Sequence, residues 1–232
     1  MDHSGASARA AADAKATAVV LFGPPGSGKG TQAKLLRDQL GIPHISTGDM
    51  LRQHIEAGDD VGRAIEAMMR SGGLVPDDMV NGLVRERLAA GDCQGGFILD
   101  GYPRTEPQAR TLAEWLDSRL VGQVVIHLLV DYNVIIARLT GRRQCASCGA
   151  LYNLVSQPPS REGVCDRDGG PLILRADDSE DVIRQRLEAY EKQTRPVLNY
   201  FRRAGHAVVE IDATVASPDD VSVEVGRAVM AV

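Results

Sequence analysis

Apolar residues recur along the chain in five short runs separated by segments with helical spacing. The runs predict strands at 18–23, 42–45, 97–100, 124–130 and 208–212. Between them, apolar residues three and four positions apart predict helices near 30–40, 48–57, 60–71, 77–90, 105–120, 132–140, 179–204 and 217–230. Alternating strands and helices favour βαβ crossovers. We therefore expect a three-layer α/β/α fold around a five-stranded, mostly parallel sheet.

Two segments depart from this alternation. Residues 47–76 have the pattern of two helices with no strand between them, and residues 141–176 are rich in Cys, Gly and Pro with little helical periodicity. We expect both to be insertions above the carboxyl ends of the strands, where α/β proteins bind ligands. The core domain then comprises 17–46, 77–140 and 177–232. Residues 1–16 are predicted to be a disordered leader, because they lack apolar periodicity.

Composition limits the possible partners. The chain has 232 residues, of which 44% are hydrophobic and 25% charged, enough for a sizeable core under a polar surface. Its net charge of −5 offers no general attraction for nucleic acid or an anionic membrane. No apolar run approaches the length of a membrane span. We expect a cytoplasmic monomer that binds neither nucleic acid nor membrane.

A glycine-rich segment, GPPGSGKGT (23–31), joins the first predicted strand to the first predicted helix. Glycines let backbone N–H groups turn toward a phosphate, and the helix N-terminus adds partial positive charge. The lysine supplies a mobile charge for the β- and γ-phosphates. The general pattern has Ser or Thr directly after the lysine, whereas Gly30 stands there and Thr31 follows. We expect a nucleoside triphosphate to be bound by Gly26, Ser27, Gly28, Lys29, Gly30 and Thr31.

A second strand-end feature concerns Asp100. The apolar run Phe97-Ile-Leu-Asp100 ends in an acid, as does the magnesium-facing strand of phosphate-loop enzymes. The alternative is an acid that caps a turn. Arg104 follows a Gly-Tyr-Pro turn that would hold it at the same sheet edge. Arginine suits phosphate binding because its planar fork stays charged and binds two oxygens.

Six motifs taken together resemble the adenylate kinase family, and they occur in that family's order. They are GPPGSGKGTQA (23–33), ISTGDMLR (45–52), GLVPDDMV (73–80), GFILDGYPRTEPQA (96–109), LTGRR (139–143) and RADDSEDVIRQRL (175–187). The Gly30-Thr31 form of the loop is the form found in that family. The resemblance implies a P-loop NTPase-type fold and reversible transfer of the γ-phosphoryl group of ATP to AMP, giving two ADP. It also implies a helical AMP-binding insertion at 47–76, a lid at 141–176, and closure of both.

The resemblance also implies roles for individual residues. Phosphoryl transfer would use Lys29, Arg104, Arg138, Arg142, Arg175 and Arg186. AMP would contact Thr47, Arg52, Leu74, Val75, Gly101, Arg104, Gln108, Arg175 and Arg186. ATP would contact the phosphate loop with Arg138, Arg142, Tyr152 and Val215, and Asp100 would hold Mg²⁺ through water. The simpler interpretation, a solvated helix face, is kept for Arg63, Arg70, Arg85 and Arg87, and His44 and His127 are expected to be structural.

Four residues in 141–176 have the spacing of a metal site. Cys145-x2-Cys148 precedes Cys165-x2-Asp168 by a 16-residue gap. A disulfide and unliganded thiols remain the alternatives. The resemblance supports zinc, because many bacterial adenylate kinases carry such a knuckle in the lid. With four protein ligands the metal would be structural. Cys93 lies outside the cluster and is expected to be a free thiol.

Two other function classes are weaker. A switch-type nucleotide hydrolase would share the phosphate loop but needs a base-specificity signature and a water-positioning residue, and neither is found. A nucleic-acid-binding zinc module is suggested by the knuckle alone. Its flanks carry Arg142, Arg143, Arg161 and Arg167, but Tyr152 is nearly the only aromatic residue there. The sequence thus favours a small-molecule phosphotransferase with Mg²⁺ and structural zinc.

Overall fold

The computed structural model describes residues 16–175 and 177–231, so the predicted leader lies almost wholly outside the described residues. The strands are β1 (Thr17–Phe22), β2 (His44–Ser46), β3 (Gly96–Asp100), β4 (Gly122–Leu129), β5 (Arg142–Cys145), β6 (Leu151–Asn153), β7 (Leu172–Ile173) and β8 (Ala207–Asp212). The helices are α1 (Lys29–Leu40), α2 (Thr47–Ala57), α3 (Asp60–Arg70), α4 (Asp77–Leu88), α5 (Glu106–Asp117), α6 (Tyr132–Thr140), α7 (Glu180–Ala189), α8 (Val197–Arg203) and α9 (Pro218–Met230).

A five-stranded sheet with the order β2-β3-β1-β4-β8 forms the centre of the protein. All four strand pairings are parallel, with Val20 paired to Leu99 on one side and to Val125 on the other. The strands are apolar on both faces, as expected for a parallel sheet covered on both sides. The predicted α/β sheet is confirmed, and its strand ends lie within two residues of the predicted ends.

Helices cover both faces of this sheet. On one face Val20 and Phe97 belong to a core completed by Leu112 of α5 and Phe201 of α8. On the other face, alternate strand residues pack with Leu36 of α1 and Val225 of α9. Because successive strand residues point to opposite faces, one short strand supplies both cores. The three-layer arrangement leaves the carboxyl ends of β1 and β3 open for ligands.

Residues 47–76 contain α2 and α3, which approach each other closely. A Cβ at Gly62 would lie 2.0 Å from the backbone oxygen of His54, so only glycine permits this approach. Asp59 caps α3 by accepting a hydrogen bond of 2.7 Å from the backbone N–H of Gly62. The pair of helices predicted from sequence is confirmed.

The segment 141–176 contains a second sheet that the sequence analysis did not predict. This sheet is antiparallel and three-stranded, with the order β6-β5-β7. Its strands are only two to four residues long, too short for alternation to be visible in the sequence. Its only buried cluster in the described part of the chain is Cys145, Ala150, Tyr152 and Cys165, with Leu172 packed against it.

The single helix predicted at 179–204 is wrong. A π-helical turn at Tyr190–Thr194 separates α7 from α8, and the N–H of Arg195 donates to the carbonyl of Tyr190 at 2.8 Å. Pro196 follows directly, and its missing N–H prevents a continuous α-helical hydrogen-bond pattern.

No helix in the described ranges is both long and apolar enough to cross a membrane.

Candidate active site

The glycine-rich segment forms a loop between β1 and α1. Gly28 is the N-cap of α1 at φ 99°, a conformation that glycine adopts without strain. The backbone N–H of Ser27 donates to the carbonyl of Pro24 at 3.1 Å, which closes the loop. All six predicted loop residues, 26–31, line one cleft of about 1160 Å³. The loop thus opens onto a volume suited to a ligand.

Lys29 lies inside this loop with its charge largely desolvated. Its Nζ donates to the carbonyl oxygens of Gly23 at 2.8 Å and Pro24 at 2.9 Å. Burial lowers the pKa of Lys29 to about 8, although the nearby carboxylate of Asp100 acts in the opposite direction. An anionic group in the loop would therefore stabilise the protonated lysine.

Asp100 ends β3 beside the loop, close to a histidine for which the sequence suggested only a structural role. The Nε2 atom of His44 lies 3.5 Å from Oδ2 of Asp100, and both side chains are largely buried. Burial alone would raise the pKa of Asp100, but His44 and Lys29 outweigh it and hold this pKa below its usual value. Asp100 is thus a carboxylate, the form that a magnesium hydration shell requires.

Five of the predicted phosphate-binding arginines gather at the same cleft: Arg104, Arg138, Arg142, Arg175 and Arg186. Burial and repulsion from Arg186 lower the pKa of Arg104 to about 10. Burial and repulsion from Arg52 do the same for Arg175. These shifts show that several cations share a site with little water around them.

Two adjacent carboxylates hold part of this arginine cluster together. Asp178, whose side chain is 0% exposed, accepts from Nε of Arg142 at 2.7 Å and from Nη1 of Arg186 at 3.2 Å. Asp177 contacts Nη1 of Arg186 at 2.9 Å and Nη1 of Arg52 at 3.8 Å. Neither aspartate was predicted to have a role, although both lie within the last of the six motifs.

A smaller pocket of about 60 Å³ shares residues with the large cleft. It is lined by eight of the nine predicted AMP residues: Thr47, Arg52, Leu74, Val75, Gly101, Arg104, Gln108 and Arg186. Arg175, the ninth, lines the large cleft instead. The hydroxyl of Thr47 donates to the carbonyl of Gly101 at 2.9 Å, so its oxygen remains able only to accept from a ligand.

The residues expected near the base of ATP lie at the other end of the large cleft. Arg138 donates to the carbonyl of Ala213 at 2.8 Å, beside the exposed Val215, and both Arg138 and Val215 line the cleft. Tyr152 also lines it, but its hydroxyl accepts from the N–H of Asp166 at 2.8 Å and lies 3.4 Å from Sγ of Cys165. In the described structure the Tyr152 hydroxyl therefore contacts the cysteine cluster.

Cys145, Cys148, Cys165 and Asp168 converge on one point, with all four potential ligand atoms within 4.8 Å of one another. The Sγ atoms of Cys148 and Cys165 lie 3.6 Å apart, and Sγ of Cys145 lies 3.3 Å from Oδ1 of Asp168. Tetrahedral zinc with bonds of about 2.3 Å would separate two sulfurs by about 3.8 Å. All four cysteines, Cys93 included, are free, so the disulfide alternative is not supported.

The polar groups around this cluster also fit a cation. The N–H of Gly170 donates to Asp168 at 2.9 Å and is the main cause of a pKa well below the usual carboxyl range. The N–H groups of Ser147 and Cys148 point at Sγ of Cys145 at 3.4 and 3.5 Å. Such donors stabilise the deprotonated ligands that a metal needs. The four residues are therefore compatible with zinc.

A glycine-rich loop before α1, at the carboxyl edge of a parallel sheet covered by helices, defines the class of P-loop nucleotide-binding proteins. Comparison with known proteins narrows this class. The family model "Adenylate kinase" matches residues 21–206. The chain belongs to the adenylate kinase family.

Individual relatives agree with this assignment. An adenylate kinase of Moorella thermoacetica is 48% identical over 213 residues, which cover 90% of this chain and 96% of the relative. One from Trichlorobacter lovleyi is 52% identical over 187 residues, covering 79% and 86%. One from Methanosarcina acetivorans is 48% identical over 197 residues, covering 84% and 91%.

Asp178 provides a direct test of how the cationic cleft is held together. We expect Asp178→Asn to lower the free energy of unfolding by about 3 kcal/mol, because it leaves the largely buried Arg142 without a carboxylate and leaves Arg186 with Asp177 alone. Amide hydrogen exchange in β5 should also become faster, since Arg142 begins that strand. Asp181→Asn is the matched control, because Asp181 is exposed in the first turn of α7. Denaturant unfolding that gave equal stabilities for the two variants would contradict this role.

Proposed function

We propose that this chain catalyses the reversible transfer of the γ-phosphoryl group of ATP to AMP, giving two ADP. One observation carries the proposal: the cleft that holds the phosphate loop shares Arg104 and Arg186 with the smaller pocket that Gln108 and Thr47 line. A donor phosphate at Lys29 and an acceptor phosphate at Arg104 would therefore meet. Membership in the adenylate kinase family supports the same reaction.

The reaction needs no general base, because the acceptor oxygen of AMP is already ionised at neutral pH. The barrier is then charge repulsion and misalignment, which positioned cations reduce. In our proposal Lys29 binds the β- and γ-phosphates, Arg104 orients the AMP phosphate, and Arg142, Arg175 and Arg186 bind the transferring group. Arg138 binds the donor nucleotide, ATP. The burial of this cluster strengthens each of these interactions.

We propose that the insertion at 47–76 and the lid at 141–176 close over the two nucleotides, while 17–46, 77–140 and 177–232 form the core. Direct contacts between these segments support closure. Nη2 of Arg175 lies 4.0 Å from Asp49 of α2, and Arg52 of the same helix lies near Asp177. Closure would exclude water and so prevent hydrolysis of ATP.

Asp100 is proposed to hold Mg²⁺ through water molecules. Its carboxylate form and its place at the end of β3 beside Lys29 fit a hydrated cation next to the phosphates. When bound with ATP, Mg²⁺ neutralises charge on the β- and γ-phosphates. The base of ATP is proposed to lie against Arg138 and Val215, with Tyr152 at the lid side, where these residues line the cleft.

Cys145, Cys148, Cys165 and Asp168 are proposed to bind one structural Zn²⁺. The buried apolar cluster of the lid is small, and small units commonly need a metal to hold their fold. The zinc would link the two halves of the lid and would have no open position for substrate. A monomeric, cytoplasmic enzyme without nucleic-acid or membrane partners remains our expectation from the sequence.

The acceptor preference tests the proposed reaction. With ATP as donor, kcat/KM for AMP should exceed that for CMP or UMP by about 100-fold or more, because the Thr47 hydroxyl and the Gln108 amide that line the pocket can hydrogen-bond to the adenine edge. A coupled assay for ADP measures this, with ATP alone as the control for hydrolysis. Comparable rates with CMP would refute the acceptor assignment, and ADP formation from ATP alone would favour a hydrolase.

Metal analysis tests whether the cysteine cluster binds zinc. The purified protein should carry one zinc per chain, and Cys148→Ser should weaken zinc retention by about 10-fold or more. Asp168→Asn should weaken it less, since a thiolate is the softer and stronger ligand. Cys93→Ser, outside the cluster, is the matched control. Removal of zinc should lower Tm but leave activity at low temperature, and complete loss of activity on gentle removal would contradict a purely structural role.

A further inference from the structure

The amide of Gln108 is held at both ends within the smaller pocket. Its Oε1 accepts from the backbone N–H of Arg104 at 2.7 Å, and its Nε2 donates to Oδ1 of Asp77 at 2.8 Å. Gln108 lines the pocket, whereas Asp77 is not among the described residues that line it. Asp77 therefore acts on this pocket from behind Gln108.

The chemistry of these partners fixes which end of the amide is which. A backbone N–H can only donate, so the atom facing Arg104 must be the amide oxygen. A carboxylate can only accept, so the atom facing Asp77 must be the amide nitrogen. A flipped amide would place N–H against N–H at one end and oxygen against oxygen at the other. The orientation thus follows from the partners.

Asp77 is itself held in place by a closed hydrogen-bond circuit. Its second oxygen, Oδ2, accepts from the hydroxyl of Thr105 at 2.8 Å, and the N–H of Gln108 donates to the same hydroxyl oxygen at 3.3 Å. Asp77 is also the first residue of α4, where the helix N-terminus favours a negative charge. The hydroxyl of Tyr102, which donates to Oδ1 of Asn81 at 2.7 Å, also lies 3.2 Å from the backbone carbonyl oxygen of Gln108.

We propose that Asp77 sets the base specificity of the acceptor site by fixing the amide orientation of Gln108. Held this way, Gln108 keeps one free N–H and one free acceptor lone pair. These match the edge of a 6-aminopurine, which accepts at N1 and donates from its amino group. A 6-oxopurine instead donates from N1 and accepts at its carbonyl oxygen. Its N1–H would face the N–H of Gln108, and its carbonyl oxygen would face the amide oxygen. Asp77 is a positioning residue, and this inference rests on the proposed binding of AMP beside Gln108.

The test compares AMP with IMP, because the two differ only at this edge of the purine. In Asp77→Asn the residue at 77 gains an amide that can face either way, so Gln108 loses one of its two constraints. The ratio of kcat/KM for AMP to that for IMP should fall about 10-fold or more. The fall in this ratio should come from a higher KM for AMP. The kcat should stay within about twofold of that of the unaltered protein, and KM for ATP should be unchanged.

Asp78→Asn is the matched control, since Asp78 is the next residue of α4, is exposed, and loses the same charge. It should leave the ratio unchanged. Thr105→Val removes the hydroxyl that holds Asp77 but keeps the carboxylate. It should lower the ratio in the same direction by a smaller factor, and it serves as the test if Asp77→Asn does not fold.

The outcomes separate this inference from simpler roles. An unchanged AMP-to-IMP ratio in a folded Asp77→Asn variant would overturn the inference. If Asp77→Asn does not fold, an unchanged ratio in Thr105→Val would overturn it. Equal losses for AMP and IMP would show a purely structural role for Asp77 and would overturn it as well. If the unaltered protein used IMP as well as AMP, the inference would fail while phosphoryl transfer stood. If it used neither, the proposed function itself would fail.

Discussion

Several positive charges share one poorly hydrated cleft in this protein, and much of the architecture keeps them there. Lys29 and Arg104 are desolvated enough that burial lowers both of their pKa values. Like charges brought together out of water repel strongly, so a cluster of this kind persists only with compensating anions. Asp177 and Asp178 supply part of that compensation from the protein. The phosphates of two nucleotides would supply the rest.

The same constraint bears on the proposed lid, residues 141–176. Arg142 begins the lid at β5, and its ion pair with Asp178 joins that point to the chain that leaves the lid before α7. The cysteine cluster, the proposed zinc site, lies in the same segment, where the buried apolar cluster is small. In this proposal the ion pair holds the base of the lid and zinc holds its far end.

Local features of the site could be predicted from sequence, whereas its supporting contacts could not. The loop around Lys29 was predictable because glycine spacing, strand and helix are adjacent in the chain. The contacts of Asp77 with Gln108, of Asp178 with Arg142 and of His44 with Asp100 were not predicted, because in each pair the partner lies in a different segment of the chain. The lid strands were missed because they are too short for a periodic pattern. Pro196 is a visible sequence signal for the break after α7, because proline lacks the N–H that a continuous helix needs.

Proton uptake on ligand binding most directly tests the claim that several desolvated cations share the cleft and await phosphates. A mimic that joins two adenosines through phosphates should raise the pKa of Lys29 from about 8. Near pH 8 a fraction of the free protein should carry neutral Lys29, so binding should be accompanied by net proton uptake. Titration calorimetry in two buffers of different ionisation enthalpy measures this uptake, and Lys29→Arg should abolish it. Binding without proton uptake, or equal uptake in Lys29→Arg, would contradict the account.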